Sequence, residues 1–345
     1  MSNGDRMKVG MVGVRAFAVK RRELLAESGL FDLMAVYNRT REPLDALART
    51  EDIQPCYTYE ELLDVPGLEA VVISSGASAH AEQTIAALDK GLHVFVEKPL
   101  CSSFEEIEAM RAAQQRSGKV VGVAHNHHGH DTISVTIKNK IDRGELGEIA
   151  TFEKTTAHSG GLLIEPGDWR GDPGKNPGGM LFQCGVHAFH ELMYYFGPLD
   201  EIGATMRYDV HKATKTADVA VCHVRFKCGV LGTLCAYHVT PYRHTLNIYG
   251  TKGALYRDDR FFDEGTRLLM QRVPESLDGS KEPQLPAELE GEKDECGNLR
   301  SFYKAVREGG TPYPSLIDGA RAVAAVFAAE ESARTGQPVK VETYV

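Results

Sequence analysis

The sequence predicts an α/β fold, in which a doubly wound parallel sheet is followed by an α+β domain with a mostly antiparallel open sheet. Over the first 124 residues, short apolar runs alternate with amphipathic helical stretches. After residue 125, longer segments rich in Thr, Val and Tyr replace this alternation. The 345 residues exceed a usual single core, so we expect two domains, 1–124 and 125–345.

The first-domain strands are expected where the apolar runs do not alternate with polar residues, as in strands buried on both faces of a parallel sheet. These runs are Lys8–Val12, Leu33–Tyr37, Ala70–Ile73, His93–Val96 and Val120–Ala124. The clearest helix between them is Phe104–Arg116, with a capping box from Ser103 and Glu106 and a stop at Gly118.

The second domain is expected to begin with a helix at Thr132–Arg143 and to build its sheet from later β-type segments. These segments are Val219–Phe226, Val230–His238 and Thr245–Tyr249. The charged, proline-containing stretch Gly265–Gly297 predicts loops. An Ala-rich helix at Ser315–Arg334, able to pack back on the first domain, is expected near the end of the chain.

Composition and charge exclude several classes of protein. The net charge of −9 argues against non-specific nucleic-acid binding, which needs a basic surface. No apolar run is long enough to span a bilayer, so no membrane partner is expected. The polar start of the chain shows no signal peptide, and seven scattered cysteines suit reduced thiols. A cytoplasmic location follows as an expectation.

The first strand leads into a turn that partly matches the dinucleotide-binding pattern Gly-x-Gly-x-x-Gly/Ala of Rossmann domains. Gly13 and Ala18 occupy its outer positions, while Arg15 stands where the second glycine belongs. We expect Gly13, Arg15, Ala16 and Phe17 to bind the cofactor, with backbone amides facing its pyrophosphate. An ordinary strand-to-helix turn is the alternative.

The end of the second strand normally supplies an acid for the ribose hydroxyls of NAD. Here Asn38 and Arg39 stand in the stretch Tyr37–Thr40, which has no carboxylate. We therefore expect either NAD or NADP as cofactor, with a preference for NADP and contacts from Asn38 and Arg39. The alternative is that Arg39 simply begins a solvated helix.

The strongest local motif is the buried strand that ends in Glu97-Lys98-Pro99. A lysine at the carboxyl end of a parallel strand points into the ligand crevice. With this motif the chain resembles the Gfo/Idh/MocA family of glucose–fructose oxidoreductase and inositol dehydrogenase. Similar segments are Ser78–Gly91, Lys140–Ile149, Ile248–Ala254 and Pro314–Gly336. For the cofactor side of the site, the resemblance implies Ser75, His80, Glu97 and Lys98.

The family's catalytic signature is Gly-Gly followed by Asp-x-Gly-x-His-x-x-Asp. Gly178, Gly179, Gly185 and His187 match it, while Gln183 and His190 replace the two aspartates. The resemblance implies that His187 exchanges the proton of the substrate hydroxyl, assisted by Lys98. Gln183 can hydrogen-bond a substrate but cannot accept a proton as a carboxylate does. The alternative for His187 is a core histidine on a helix.

A histidine-rich run follows the last strand of the first domain, where the family lines the mouth of its site. We expect substrate contacts from this run, from the region before the glycine pair and from the end of the catalytic signature. The residues are His125, His127, His158, Trp169, Arg170 and His190. The spacing fits no zinc pattern, so no metal is assigned, although histidine-bound Zn²⁺ or Mn²⁺ stays open. A solvated histidine loop is a further alternative for the run, and a domain-interface role is the alternative for Trp169.

These features predict an NAD(P)-dependent dehydrogenase or reductase that acts on a sugar, polyol or keto-sugar. His187 would be the general acid/base, and Lys98 would orient the reacting oxygen. A lyase or glycoside-cleaving enzyme on the same fold is the second interpretation, and a binding protein that has lost catalysis is the third. The resemblance also implies a homo-oligomer, a dimer or a tetramer.

Overall fold

The computed structural model describes residues 6–125, 128–259, 265, 267–274, 276, 280 and 282–342, apart from the side chain of residue 130. Its contacts divide the chain into two compact units. The first consists of Met1–His127 and Asp294–Ala320, and the second of His128–Lys293 and Arg321–Val345. Residues 294–320 therefore belong to the first unit, whereas the sequence predicted a single boundary after residue 124.

The first unit contains a six-stranded parallel sheet in the order β3-β2-β1-β4-β5-β6. Its strands are β1 (Met7–Val12), β2 (Phe31–Tyr37), β3 (Gln54–Cys56), β4 (Ala70–Ile73), β5 (His93–Glu97) and β6 (Val121–Ala124). Its first five helices are α1 (Phe17–Ser28), α2 (Arg41–Thr50), α3 (Tyr59–Leu63), α4 (His80–Asp89) and α5 (Phe104–Ser117). The strand order reverses between β1 and β4, and ligands bind at the carboxyl ends of strands at such a switch point.

The helix at Phe104 confirms the expected capping, with one change. The Ser103 hydroxyl accepts a hydrogen bond from the Glu106 backbone N–H at 3.3 Å. The Glu106 carboxylate accepts its bond from the backbone N–H of Ser102, at 2.7 Å, rather than from that of Ser103. Gly118 ends the helix in the left-handed conformation, with φ +64°.

The second unit contains a nine-stranded sheet in the order β14-β13-β12-β11-β7-β10-β9-β8-β15. Two helices of this unit are α6 (Thr132–Asp142) and α7 (Val186–Phe196). Its strands are β7 (Ile149–Ala157), β8 (Leu199–Arg207), β9 (Val219–Phe226), β10 (Leu231–Tyr237), β11 (Arg243–Gly250), β12 (Gly253–Asp259), β13 (Arg267–Arg272), β14 (Leu285–Pro286) and β15 (Val339–Lys340). Among the described strands, every pair in this sheet is antiparallel except β7 with β10. The predicted fold class is therefore confirmed.

The prediction of loops throughout Gly265–Gly297 is wrong, because β13 and β14 lie in this segment. Strand β13 pairs antiparallel with β12, from Gly253 opposite Arg272 to Asp258 opposite Arg267. A short run bounded by arginines carries little strand signal by itself. Its backbone hydrogen-bonding groups gain their partners from the neighbouring strand, which is a tertiary effect.

The last two helices are α8 (Gly297–Glu308) and α9 (Leu316–Thr335), and the second agrees with the predicted helix at Ser315–Arg334. Leu299 and Phe302 of α8 are fully buried in the core of the first unit, together with Met7, Val9 and Phe95. The rings of Phe95 and Phe302 lie 5.5 Å apart. These contacts explain why Asp294–Ala320 belongs to the first unit.

Candidate active site

The turn after β1 is shaped so that only glycine fits at its start. Gly13 has φ +99°, and a Cβ built on it would lie 2.7 Å from the carbonyl oxygen of Ser74. The following Ala16 has φ +52° and is the single non-glycine residue with positive φ in the described chain. Backbone strain of this kind concentrates at ligand sites.

This turn fits the pyrophosphate of a dinucleotide. Helix α1 begins directly after Ala16, and no side chain caps its first turn. The amides of Ala18 and Val19 donate to the backbone carbonyls of Arg15 and Ala16, at 3.1 Å each. Backbone amides at a helix N-terminus form an anion site. The side chains of Arg15 and Phe17 are exposed, Phe17 by 65%. The arginine in the second glycine position therefore leaves the backbone of the turn uncovered.

The segment after β2 carries the side chains predicted to meet the ribose. The amide nitrogen of Asn38 donates to the backbone carbonyl and to the hydroxyl of Thr40, at 2.8 and 2.9 Å. Arg39 is exposed, and the guanidinium of Arg41 lies 4.7 Å from the ring centroid of Tyr57. Two arginines therefore follow Asn38 closely, and the stretch Tyr37–Thr40 contributes no carboxylate.

Ser75 and His80 lie at the carboxyl end of β4. The hydroxyl of Ser75 donates to the side-chain oxygen of Gln83 at 2.7 Å. His80, the first residue of α4, is 1% exposed, with its ring between two backbone carbonyls. Nδ1 lies 2.7 Å from the oxygen of Pro99 and Nε2 lies 3.1 Å from the oxygen of Ser75. Burial lowers the pKa of His80, and the carbonyl contacts partly oppose that effect.

Glu97 and Lys98 end β5 and differ in their surroundings. Glu97 is buried and accepts hydrogen bonds from Nε and Nη2 of Arg21 on α1, at 2.9 and 2.8 Å. The Nζ atom of Lys98 lies 6.0 Å from the centroid of the exposed ring of Phe17. The structure thus brings together Glu97, Lys98 and Phe17 from the predicted cofactor set, and adds Arg21, which sequence reasoning missed.

In the second unit, the predicted catalytic turn is a π-helical turn at Leu181–Gly185 that leads into α7. π-Helical turns occur frequently at functional sites. Gln183 lies on this turn and His187 in the first turn of α7, both partly exposed. The backbone N–H of Gly178 donates to Glu330 of α9 at 2.5 Å, and burial raises the pKa of that carboxyl group. The last helix therefore anchors the glycine pair.

His158, at the end of β7, lies beside the catalytic turn. Its Nδ1 accepts a hydrogen bond from the backbone N–H of Gly160 at 2.9 Å, so the neutral ring carries its proton on Nε2. Nε2 lies 3.5 Å from the sulfur of Cys184, the residue after Gln183. Burial, and secondarily His238, lowers the pKa of His158. A neutral hydrogen-bond donor therefore adjoins the turn, and a substrate contact from His158 stays a prediction.

Trp169 and Arg170 lie on a loop in the second unit, and Trp169 is 44% exposed. Asp168 engages the guanidinium of Arg170 through Nε, at 3.0 Å, and through Nη2. The side chains of Asn176 and Thr216 both donate to the backbone carbonyl of Arg170. The arginine is therefore held in place with its charge paired, next to a partly exposed indole.

The remaining predicted histidines are buried or lie outside the described residues. His125 is 1% exposed, and its carbonyl accepts from Asn298 at 2.8 Å. His190 on α7 is also buried, with its ring 5.1 Å from that of His128. His127 lies outside the described residues. Substrate contacts from these three residues stay predictions. Within the described residues, no group of three or more His, Cys, Asp or Glu side chains is arranged to hold a metal.

A buried charge network next to His187 was missed from the sequence. Glu191, one turn further along α7, accepts from Lys154 of β7 at 2.5 Å and from Arg257 of β12 at 3.0 Å. Burial alone would raise the pKa of Glu191, but the two cations lower it overall. The only sequence signal was a lysine and an arginine among strand residues, which does not specify their partner. The network fixes α7 on the sheet.

In the part of the chain that the structure describes, no helix combines the length and the apolar character needed to cross a bilayer.

The assembly of this chain into a homo-oligomer stays a prediction.

Comparison with known proteins places the chain among oxidoreductases. The family described as "Oxidoreductase family, NAD-binding Rossmann fold" matches residues 7–125, and the "GFO/IDH/MocA C-terminal domain" matches residues 134–256. The scyllo-inositol 2-dehydrogenase (NAD(+)) of Bacillus subtilis is 27% identical, over 82% of this chain and 80% of its own length. The 1,5-anhydro-D-fructose reductase of Ensifer adhaerens is 26% identical, over 83% and 84%.

Solved structures share the fold over nearly the whole chain. Levoglucosan dehydrogenase in complex with NADH superposes with a TM-score of 0.85 at 21% identity, covering 98% of this chain and 100% of its own. The WlbA dehydrogenase of Bordetella pertussis, in complex with NADH and UDP-GlcNAcA, gives a TM-score of 0.82 at 19% identity, covering 98% and 100%. The predicted enzyme class, an NAD(P)-dependent dehydrogenase or reductase, is confirmed, and the chain belongs to the Gfo/Idh/MocA family.

Proposed function

We propose that this enzyme transfers hydride between a nicotinamide cofactor and a carbon bearing a hydroxyl or keto group in a sugar or polyol. The observation that carries the proposal is Lys98, placed at the carboxyl end of β5 in the same unit as the Gly13–Ala18 turn. The relatives named above act on inositols and anhydro-sugars, which favours the same class of substrate here.

When bound, the nicotinamide supplies or accepts the hydride. Residues of the chain then stabilise the charge on the substrate oxygen and transfer its proton. The ammonium of Lys98 stabilises negative charge on that oxygen as the carbinol hydrogen leaves. His187 takes the hydroxyl proton in the oxidative direction and returns it in the reductive direction. Gln183 donates or accepts a hydrogen bond without exchanging a proton.

The experiment is pre-steady-state hydride transfer with NAD and NADP on a panel of inositols, anhydro-sugars and keto-sugars. Replacing His187 by Ala should lower kcat by about 10²-fold or more, the usual range for a general base, with little change in cofactor affinity. His223 of β9 is exposed, so His223→Ala is the matched control. If His187→Ala turns over as fast as the control, His187 is not the acid/base.

A lyase or glycoside-cleaving activity is the second candidate, because Gln183 replaces the aspartate of the redox signature. Product analysis on glycosides would separate the two. Cleavage with no net change in the cofactor favours the second candidate, whereas a product oxidised or reduced in step with the cofactor supports the first. Loss of turnover in the presence of a chelator would indicate a histidine-bound metal.

A further inference from the structure

The backbone around Lys98 is held on both sides by different helices. On the preceding side, the carboxylate of Glu97 is bound by Arg21 of α1. On the following side, the carbonyl of Pro99 lies 2.7 Å from Nδ1 of His80, on α4. The lysine itself lies between these two anchors, with its side chain towards the ring of Phe17.

The contacts of His80 are unusual because both of its ring nitrogens face backbone oxygens. A carbonyl oxygen only accepts hydrogen bonds, and a neutral imidazole has one N–H. Nδ1–H can donate a hydrogen bond to the carbonyl of Pro99, and Nε2–H can donate one to the carbonyl of Ser75. Both bonds form together only when both nitrogens carry protons. Since His80 is fully buried, water cannot replace either partner. Because burial favours the neutral ring, His80 donates to one carbonyl at a time, and the shorter contact, 2.7 Å from Nδ1, favours Pro99.

We propose that His80 is a positioning residue for Lys98: from helix α4 it holds the backbone carbonyl of Pro99 and so fixes where the Lys98 ammonium stands. This inference rests on the proposed function. Without the contact from His80, the backbone at Pro99 can shift while Glu97 stays bound to Arg21. Lys98 lies between these two residues, so its ammonium group would move. A displacement of about 1 Å at a group that contacts the reacting atoms can lower the rate up to about a hundredfold.

The test compares His80→Leu, which has a similar size but no donor, with His80→Gln, whose amide carries two N–H groups. Thr84→Val is the matched control, because Thr84 is fully buried one turn along the same helix. His80→Leu should lower kcat about tenfold or more while KM for the sugar changes by less than about threefold. His80→Gln should recover most of kcat, and Thr84→Val should keep the wild-type value.

A second readout does not depend on turnover. Reductive ¹³C-methylation of the lysines labels Lys98, whose resonance is assigned by its absence in Lys98→Arg. In the cofactor-free protein this resonance should shift or broaden in His80→Leu and return towards wild type in His80→Gln. Should His80→Leu not fold, His80→Asn, whose shorter side chain draws the donor back from the Pro99 carbonyl, takes its place in both measurements.

The outcomes separate the two proposals. An enzyme that turns over a sugar equally well in wild type and His80→Leu supports the proposed function and overturns the role of His80. A wild-type resonance for Lys98 in His80→Leu overturns that role as well. If no sugar or polyol is turned over by the wild type, the proposed function fails, and the Lys98 resonance still decides whether His80 positions the lysine.

Discussion

Removing Arg21 should destabilise the first unit strongly, because the arginine neutralises a carboxylate that is buried with it. Arg21 and Glu97 are each 6% exposed, and two nitrogens of the guanidinium lie within 3 Å of one carboxylate oxygen. Arg21→Met keeps much of the side-chain volume but leaves Glu97 charged and buried. Breaking a buried ion pair in this way costs about 3–5 kcal/mol.

The double variant Arg21→Met/Glu97→Gln makes the reasoning testable. An amide in place of the carboxylate removes the unpaired charge, so the double variant should be more stable than Arg21→Met by about 2 kcal/mol or more. Urea unfolding followed by circular dichroism measures the difference. Hydrogen exchange of the α1 amides reports the first unit separately, because the two units need not unfold in one step.

Cofactor affinity supplies a further readout, because α1 begins at the turn expected to hold the pyrophosphate. Arg21→Met should weaken dinucleotide binding, measured by nicotinamide fluorescence, and the double variant should restore part of it. A cost below about 1 kcal/mol for Arg21→Met, or a double variant no more stable than the single one, would refute the argument from buried charge.

Three further predictions concern the turn, the cofactor and the pH dependence. Gly13→Ala should abolish measurable dinucleotide binding, measured by titration calorimetry, since its Cβ would meet the Ser74 carbonyl at φ +99°. Gly29→Ala is the control for backbone strain alone, because Gly29 also has a positive φ (+67°) but its Cβ would meet no atom within 4 Å. Arg39→Ala should weaken NADP binding more than NAD binding, and an unchanged ratio of the two Kd values would exclude Arg39 from the choice. Burial lowers the pKa of both His93 and His244 from 6.5 to about 4, so their protonation favours the unfolded chain. Their contribution to stability is complete above pH 6.5 and is lost as the pH falls towards 4. His93→Gln and His244→Gln should each reduce the fall of the urea midpoint between those pH values, and the exposed His223, replaced by Gln, supplies the control.

Much of the candidate site could be predicted from sequence because its signals are local. The strand-to-helix turn at Gly13, the lysine after a buried strand and the Gly178–His187 pattern are each contained within about ten residues. Patterns of apolar residues likewise predicted α5 and α9 almost to the residue, since helix periodicity and caps depend on near neighbours.

The partners of buried charges were decided only by the tertiary structure. Arg21 and Glu97 are 76 residues apart, and Lys154 and Glu191 are 37 residues apart. Nothing local distinguishes such side chains from solvated ones; they pair because the packing of helix on sheet brings opposite charges together away from water. The same applies to β13, which became a strand through pairing with β12, and to α8, which joined the first unit through Phe302. The sequence by itself therefore determined the chemistry available at each strand end, while the packing decided which helix holds that chemistry in place.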